Sequence, residues 1–208
     1  MIEHADRFWT SDQNDALERQ QIQRWTGLVI PPEFLGTHVG PTVGHQTHRT
    51  HSISFRVINA LFGHAGIEWN ICEASDHEIK VLKDYVAFYK KHRNLLHSGA
   101  VVRSDEIVGN AYLYGTVAQD KSEAIFTYMQ LATLDTRGPL LATFDGLDKE
   151  RRYELTVVEE LSADDFTQKS GPGWWPRIEM TGDQFAHIGV QLPVMKPESG
   201  LLFHFRAK

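Results

Sequence analysis

The sequence has a single cysteine, Cys72, among 208 residues. One cysteine cannot form a disulfide within the chain, and disulfides are typical of oxidising compartments. The first ten residues, MIEHADRFWT, also lack the basic start and apolar stretch of a secretory signal peptide. We therefore expect a cytoplasmic location.

Long apolar runs and an excess of basic charge are absent too. No run approaches the roughly 20 apolar residues that cross a bilayer, so we expect no membrane association. Lysine and arginine number 21 against 27 acidic residues, and the formal net charge is -6. Because nucleic-acid binding uses a basic surface, we expect no nucleic-acid partner. A glycine-rich phosphate loop and a dinucleotide fingerprint are missing, so we expect neither phosphate chemistry nor a cofactor.

The first half of the chain alternates short apolar segments with longer helical ones. Three such pairs occur in residues 1–98: RFWTSD then ALERQQIQRWTGL, LGTHVG then HSISFRVINALFG, and GIEWNI then SDHEIKVLKDYVAFYKKHRNLLHSG. A strand followed by a helix, repeated, predicts βα units with a parallel sheet. The last helix is the clearest, because Leu82 and Val86 share one face and Ser75 or Asp76 can cap its start.

The second half, residues 99–208, changes to an alternation with a period of two. Four segments predict strands: AYLYGTVAQDKSEAIFTYMQLA with a turn at Asp120-Lys121, YELTVVEEL, FAHIGVQLPV and GLLFHFRA. The stretch QKSGPGWWPRIEMTGD predicts irregular structure. This half is predicted to be an antiparallel β-sandwich.

Polar side chains follow each predicted strand of the first half. Asp12 follows the first strand, His38 ends the second, and Glu68 ends the third. Active sites of alternating strand–helix barrels lie at the carboxyl ends of the strands. Asp12 has two interpretations: it donates a proton in catalysis, or it caps the helix that begins beside it. Asp15 is a second cap candidate.

Three histidines, His45, His48 and His51, follow the second strand at a spacing of three. A metal site is one interpretation, but this spacing does not place all three on one helix face, and no cysteine pair accompanies them. Hydrogen bonding to a hydroxylated substrate fits a loop of histidine, glutamine and arginine better, and a solvated loop without a ligand is the alternative. We expect no metal. Trp174 and Trp175 stack on a sugar or cover the edge of the sandwich.

The segment WTSDQNDALERQQIQRWTGLVIPPEFLGTHVGPTVGHQTHRT, with GIEWNI and YKKHRNLLHSG, resembles the C-terminal part of the α-galactosidases (melibiases) of glycoside hydrolase family 36. The resemblance implies that residues 1–98 are the last three βα units of a (β/α)8 TIM-type barrel, and that residues 99–208 are a C-terminal antiparallel β-sandwich. It also implies that Asp12, in the W-x-S-D motif, is the general acid/base. The side chains predicted to bind the sugar are Trp9, Ser11, Arg19, His38, His45 and Arg49. Ser11 and Asp15 are expected to shape the turn and start the helix.

The sequence also departs from the family. The K-x-D-x-N motif with the nucleophilic aspartate and the cysteine- and glycine-rich sugar-binding strand are not found. A retaining glycosidase needs two carboxyl groups across the glycosidic bond. We therefore expect the C-terminal portion of a hydrolase acting on terminal α-D-galactosides of the melibiose and raffinose type, inactive alone and capable of homo-oligomer formation. The alternative is a non-catalytic module that binds a sugar or stabilises a partner.

Overall fold

The computed structural model describes residues 4, 6–104, 110–135, 140–163, 166 and 171–208. The chain divides into two compact units, Met1–His97 and Ser98–Lys208, which we call the N-terminal and C-terminal units. Among the described residues, no helix combines the length and the apolar character that a bilayer crossing requires.

The N-terminal unit alternates strands and helices. Its elements are α1 (Ala16–Thr26), β1 (Gly36–Val39), α2 (Ile53–Ala60), β2 (His64–Ile67) and α3 (Asp76–Ser98), the last of which ends at the unit boundary. β1 and β2 pair in parallel, and Phe8 forms a parallel bridge with Leu35, on the way into β1. The strand–helix order therefore follows the prediction, while the described residues form no closed barrel.

The predicted first strand is shorter than expected. Phe8 alone makes strand-like hydrogen bonds, donating to Phe34 O at 2.7 Å and accepting from Gly36 N at 3.0 Å. The chain then turns, because the Ser11 hydroxyl accepts a hydrogen bond from Gln13 N at 3.1 Å. The turn leads directly into α1.

Each helix of this unit begins at a polar cap. Asp15 caps α1, Ser52 caps α2, and Ser75 accepts a hydrogen bond from Glu78 N while Glu78 accepts one from Ser75 N. Such side chains satisfy backbone N–H groups that have no partner in the first turn. Behind the caps, buried apolar side chains of α2 and α3 form the core of the unit: Phe55, Val57, Ile58, Val81, Leu82, Tyr85, Leu95 and Leu96.

The C-terminal unit is built mostly from antiparallel strands. They are β3 (Ala100–Ser104), β4 (Ala111–Val117), β5 (Glu123–Gln130), β6 (Leu141–Ala142), β7 (Arg152–Val157), β8 (Arg177–Thr181), β9 (Val190–Gln191) and β10 (Ser199–Ala207). Six of them form one sheet in the order β3-β4-β5-β10-β7-β8, and β6 pairs with β9. The predicted turn at Asp120-Lys121 joins β4 to β5, with Lys121 at φ 57°.

Two predictions for this unit were wrong. The segment FAHIGVQLPV is not one strand, because its first residues belong to helix α4 (Gly182–His187), which a Thr181–Gln184 capping box starts. The segment predicted to be irregular contains β8, which pairs with β7 at the edge of the sheet. Residues 168–170 of that segment lie outside the described residues.

Candidate active site

The predicted acid/base Asp12 is exposed, and Trp9 holds it. The indole Nε1 of Trp9 donates a hydrogen bond to Asp12 Oδ1 at 2.8 Å. Trp9 also stacks on His38, with ring centroids 4.7 Å apart and an interplanar angle of 12°, yet 54% of Trp9 is exposed. One face of the indole is thus covered by an imidazole, while the residue still offers apolar surface to solvent.

His38 is buried at the carboxyl-terminal part of β1. Burial lowers the pKa of His38 to about 4, and the nearby positive charge of Arg19 acts in the same direction. Glu68 Oε2 lies 2.7 Å from His38 Nε2, a contact that favours a charged ring. That carboxylate is half exposed and does not meet the nitrogen in hydrogen-bond geometry, so burial prevails and the imidazole is neutral at neutral pH.

Arg19, predicted to bind substrate, is buried and points at the backbone. Its Nη1 donates to Ser11 O at 2.8 Å, its Nη2 donates to Gly36 O at 3.1 Å, and the guanidinium lies 5.9 Å from the Trp9 ring centroid. Burial lowers the pKa of Arg19, and the charge of Glu68 opposes that shift. Arg19 therefore ties the turn after Phe8 to the start of β1 and carries positive charge beneath Trp9.

Asp15 is the most heavily bonded carboxylate of the region. Its side chain is fully buried; Oδ1 accepts from Leu17 N at 2.8 Å and Glu18 N at 3.2 Å, which is the predicted capping role. Three side chains that follow β1 reach it as well: the Thr47 hydroxyl, Arg49 Nη1 at 3.4 Å and His51 Nε2 at 3.0 Å.

These contacts set the charge of Asp15. Burial acts to raise the pKa of Asp15, but hydrogen bonds from Thr47, Glu18 N and His51 outweigh it and hold that pKa below its usual value. The carboxylate is therefore charged at neutral pH. This is the form that accepts all of these hydrogen bonds.

The loop of residues 40–51, which we call the β1–α2 loop, folds back on itself. Gly44 N donates to Arg49 O at 2.9 Å, His48 N donates to Gly44 O at 2.8 Å, and His48 adopts a φ of 58°. A bridge between Val43 and Thr50 closes the hairpin. The three predicted histidines therefore separate: His45 and His48 are exposed, and His51 is buried.

A second group of polar side chains holds the entry of this loop. Buried Arg56 donates to Gly40 O at 2.9 Å and pairs with Glu78, which also accepts from the Thr42 hydroxyl at 2.7 Å. Burial acts to raise the pKa of Glu78, but hydrogen bonds from Ser75, Thr42 and Arg56 lower it to about 2. The predicted site residues did not include Arg56, which lies within α2, or Thr42, whose partner Glu78 is 36 positions away along the chain.

A pocket of about 760 Å³ opens within the N-terminal unit. Trp9, His38 and Glu68 line it, together with Arg93 and His97 of α3. The volume falls within the range typical of small-molecule sites. Of the six residues predicted to bind the sugar, Trp9 and His38 line this pocket, whereas Ser11, Arg19, His45 and Arg49 do not. The predicted acid/base Asp12 does not line it either.

The two tryptophans of the C-terminal unit both use their indole N–H groups. Trp174 Nε1 donates to Gln191 O and Trp175 Nε1 donates to Glu159 Oε1, each at 2.8 Å. Both rings pack on the hydrophobic core of this unit. The arrangement favours the interpretation in which the pair covers the edge of the sheet.

Two protein-family models together match most of the chain. The Melibiase family model matches residues 1–99, and the model of the glycosyl hydrolase family 36 C-terminal domain matches residues 111–205. The chain belongs to glycosyl hydrolase family 36. An α-galactosidase of Escherichia coli is 38% identical over 97% of this chain, and AgaA of Geobacillus stearothermophilus is 34% identical over 93% of it.

Solved α-galactosidase structures have the same fold as this chain. The α-galactosidase of Lactobacillus brevis matches 100% of the chain with a TM-score of 0.84 and 28% identity. AgaA in complex with raffinose matches 97% of it with a TM-score of 0.82 and 28% identity. The chain spans 29% of the length of the E. coli relative and 27% of the L. brevis structure.

Proposed function

We propose that this chain is the C-terminal portion of a retaining α-galactosidase that hydrolyses terminal α-D-galactosides of the melibiose and raffinose type. Phe8, β1 and β2 correspond, in this proposal, to the last three strands of a TIM-type barrel. The C-terminal unit corresponds to the sandwich that follows the barrel. The cytoplasmic location and the homo-oligomer stay predictions.

The observation that carries the proposal is the position of Asp12. It follows the segment of Phe8 and Trp9 just as His38 lies late in β1 and Glu68 follows β2. In parallel strand–helix barrels this edge holds the catalytic groups. The hydrogen bond from Trp9 orients the Asp12 carboxyl group without burying it, as a group that exchanges protons with a substrate and with water requires.

We assign substrate recognition to exposed side chains of the turn that holds Asp12 and of the β1–α2 loop. The exposed apolar surface of Trp9 suits the apolar face of a galactose ring. His45 and Arg49 are exposed on the β1–α2 loop and supply donors for sugar hydroxyl groups. AgaA, a relative with the same fold, has been solved with raffinose bound, which supports a galactoside as the ligand class.

The reaction requires a second carboxylate. A nucleophilic carboxylate attacks the anomeric carbon while Asp12 protonates the departing glycosidic oxygen; Asp12 then takes a proton from the water that releases galactose. The two carboxyl groups of a retaining enzyme lie about 5 Å apart. We assign the nucleophile to the part of the enzyme that corresponds to the remaining length of the relatives.

The experiment measures hydrolysis of p-nitrophenyl α-galactoside. We expect no turnover above background from the 208-residue chain alone, and ordinary enzyme rates, about 1 to 1,000 per second, from the chain joined to the nucleophile-bearing segment of the E. coli relative. A matched joined protein without its nucleophilic carboxylate is the control. A folded joined protein without turnover contradicts the assignment to an α-galactosidase, and ordinary turnover by the chain alone contradicts the need for a second segment.

A non-catalytic sugar-binding module is the second candidate, favoured by one observation. Trp9 and buried His38 line the pocket of about 760 Å³ but Asp12 does not, an arrangement that suits binding without turnover. Galactose titrated against the chain by tryptophan fluorescence distinguishes the two. Saturable binding together with an inactive joined protein supports the module.

A further inference from the structure

Asp15 makes more contacts than a helix cap needs. Capping is complete once its carboxylate accepts from Leu17 N and Glu18 N, and those two hydrogen bonds are present. The additional contacts come from Thr47, Arg49 and His51. These residues occupy every second position at the end of the β1–α2 loop. One buried carboxylate thus contacts three side chains of the same loop.

The neighbouring residue adds another connection between the same two segments. Asn14 Oδ1 accepts a hydrogen bond from His45 N at 3.1 Å. Two glycines allow the close approach: a Cβ atom at Gly40 would lie 2.6 Å from Asn14 O, and one at Gly44 would lie 3.2 Å from Asp15 Cβ. The backbone of the loop therefore packs directly against residues 14 and 15, and the contact does not depend on long flexible side chains alone.

We infer that Asp15 is a positioning residue, which fixes the loop side chains His45 and Arg49 relative to Asp12. The inference rests on the proposed function, because it assigns those loop side chains to the sugar. Asp15 is three residues from Asp12, and Asn14 lies between them. One short turn thus connects Asp12, the proposed proton donor, to Asp15, whose carboxylate holds the loop.

The geometry explains why a charged carboxylate is needed at this position. Arg49 Nη1 donates both to Asp15 and, at 2.8 Å, to Glu18 Oε1, so its exposed guanidinium is directed by two acids. His51 is fully buried against Asp15 Oδ1. An amide at position 15 would still cap α1, but its NH₂ group would face the Arg49 guanidinium, which has donors only, and the Thr47 hydroxyl would have to accept instead of donate.

The first test uses hydrogen exchange of the 208-residue chain with Asp15→Asn. Because the variant keeps a good cap, we expect the amides of Leu17 and Glu18 to exchange within about twofold of the wild type. The amides of Gly44 and His48 should exchange about tenfold faster or more, since charged hydrogen bonds to the loop are lost. Glu18→Gln is the matched control, because it removes only the charge of the more exposed partner of Arg49 and should change loop exchange by less than about twofold.

A second variant keeps this test decisive if Asp15→Asn does not fold. Thr47→Val leaves Asp15 and the cap intact and removes one donor from the loop side. We expect the same loop amides to exchange faster, by a smaller factor. Unchanged loop exchange in a folded Asp15→Asn, or in Thr47→Val, overturns the inference.

The kinetic test uses the joined protein described above. Asp15→Asn in the joined protein should raise KM by about tenfold while kcat changes by less than about threefold. The reason is that the lost sugar contacts stabilise the bound substrate and the transition state equally. A merely structural role would lower kcat with the active fraction and leave KM unchanged, and that outcome also overturns the inference. If the wild-type joined protein is inactive, the proposed function fails, and the exchange experiment alone decides whether Asp15 fixes the loop.

Discussion

The two units bury different kinds of side chain. In the described part of the N-terminal unit, charged and histidine side chains are buried at six positions: Asp15, Arg19, His38, His51, Arg56 and His92. In the described part of the C-terminal unit, the buried polar residues are uncharged: Thr116, Thr127, Gln130 and Ser162. Its core is instead aromatic, with Phe126, Phe144, Phe185, Phe203 and Phe205 fully buried.

This difference means that the two units are stabilised in different ways. Burial of a charge costs free energy unless hydrogen bonds and opposite charges compensate. Asp15 and Arg56 are compensated in this way, and both hold the loop that follows β1. The aromatic core of the C-terminal unit needs no such compensation.

The largest effect expected in the N-terminal unit is on catalysis by Asp12. In the joined protein, Asp12→Ala should slow the glycosylation step for raffinose, whose leaving group needs protonation, far more than for an activated aryl galactoside. General acid catalysis contributes about 100-fold to 10,000-fold, and the gap between the two substrates should be of that order. Steady-state and burst kinetics on both substrates measure it.

Two observations check that the effect comes from proton transfer. Asp15→Ala is the control: it should raise KM for both substrates alike and leave the ratio of their kcat values close to that of the wild type. Azide should partly rescue Asp12→Ala and yield a galactosyl azide of retained configuration, because breakdown of the covalent intermediate also needs a base. Equal losses of rate on both substrates without azide rescue would mean that Asp12 has a structural role. The largest effect in the N-terminal unit would then be on stability, as it is in the C-terminal unit.

The aromatic core should show the opposite behaviour, a large effect on stability. Phe144 is fully buried, and its ring centroid lies 4.9 Å from that of Phe205 and 5.2 Å from that of Phe126. Phe144→Ala should reduce the free energy of unfolding by about 3–5 kcal/mol, because a large buried ring leaves a cavity. Urea denaturation followed by circular dichroism measures the loss.

An exposed apolar residue of the same unit provides the control. Leu141 is 62% exposed, so Leu141→Ala should change the free energy of unfolding by no more than about 0.5 kcal/mol. A loss of similar size in both variants would mean that the aromatic core does not dominate the stability of this unit.

The smallest effect concerns pH and again belongs to the N-terminal unit. The folded-state pKa of His38 is about 4, below the ordinary value of 6.5, so the unfolded chain binds a proton that the folded chain does not at intermediate pH. Stability is therefore lost as the pH falls from about 6.5 towards 4, by about 2 kcal/mol at pH 5. Urea denaturation of the 208-residue chain at pH 7 and pH 5 measures this difference.

His38→Gln should remove this part of the pH dependence, because glutamine does not titrate. Comparison of the two pH values within each variant cancels any loss of packing that the substitution itself causes. If wild type and variant lose the same stability between pH 7 and pH 5, His38 is not the group responsible.

The sequence predicted regular elements well where a pattern was long. The helix over residues 76–98 has many turns of consistent periodicity and a Ser75 cap, and the structure has α3 over Asp76–Ser98. The short α4 was mistaken for a strand because its apolar residues are too few to show a period. A signal was present nonetheless, since Thr181 and Gln184 have the spacing of a capping box.

The candidate site was predictable in its parts but not in its contacts. Asp15 was recognised as a cap from local sequence alone. Its bonds to Thr47 and His51 join residues more than 30 positions apart, which no periodicity reveals. The even spacing of His45, His48 and His51 was also uninformative, because the positive φ of His48 places them in different surroundings.

The two glycines beside the Asn14–Asp15 turn define which positions of the β1–α2 loop an engineer could vary. A side chain at Gly40 would meet the backbone of Asn14, and one at Gly44 would crowd Asp15 and Thr47. Both positions therefore need glycine if the loop is to keep its packing. His45 and Gln46 stand between Gly44 and Thr47 and are exposed. A library that randomises positions 45 and 46, and leaves 40, 44, 47 and 51 unchanged, would alter the surface offered to a ligand without releasing the loop.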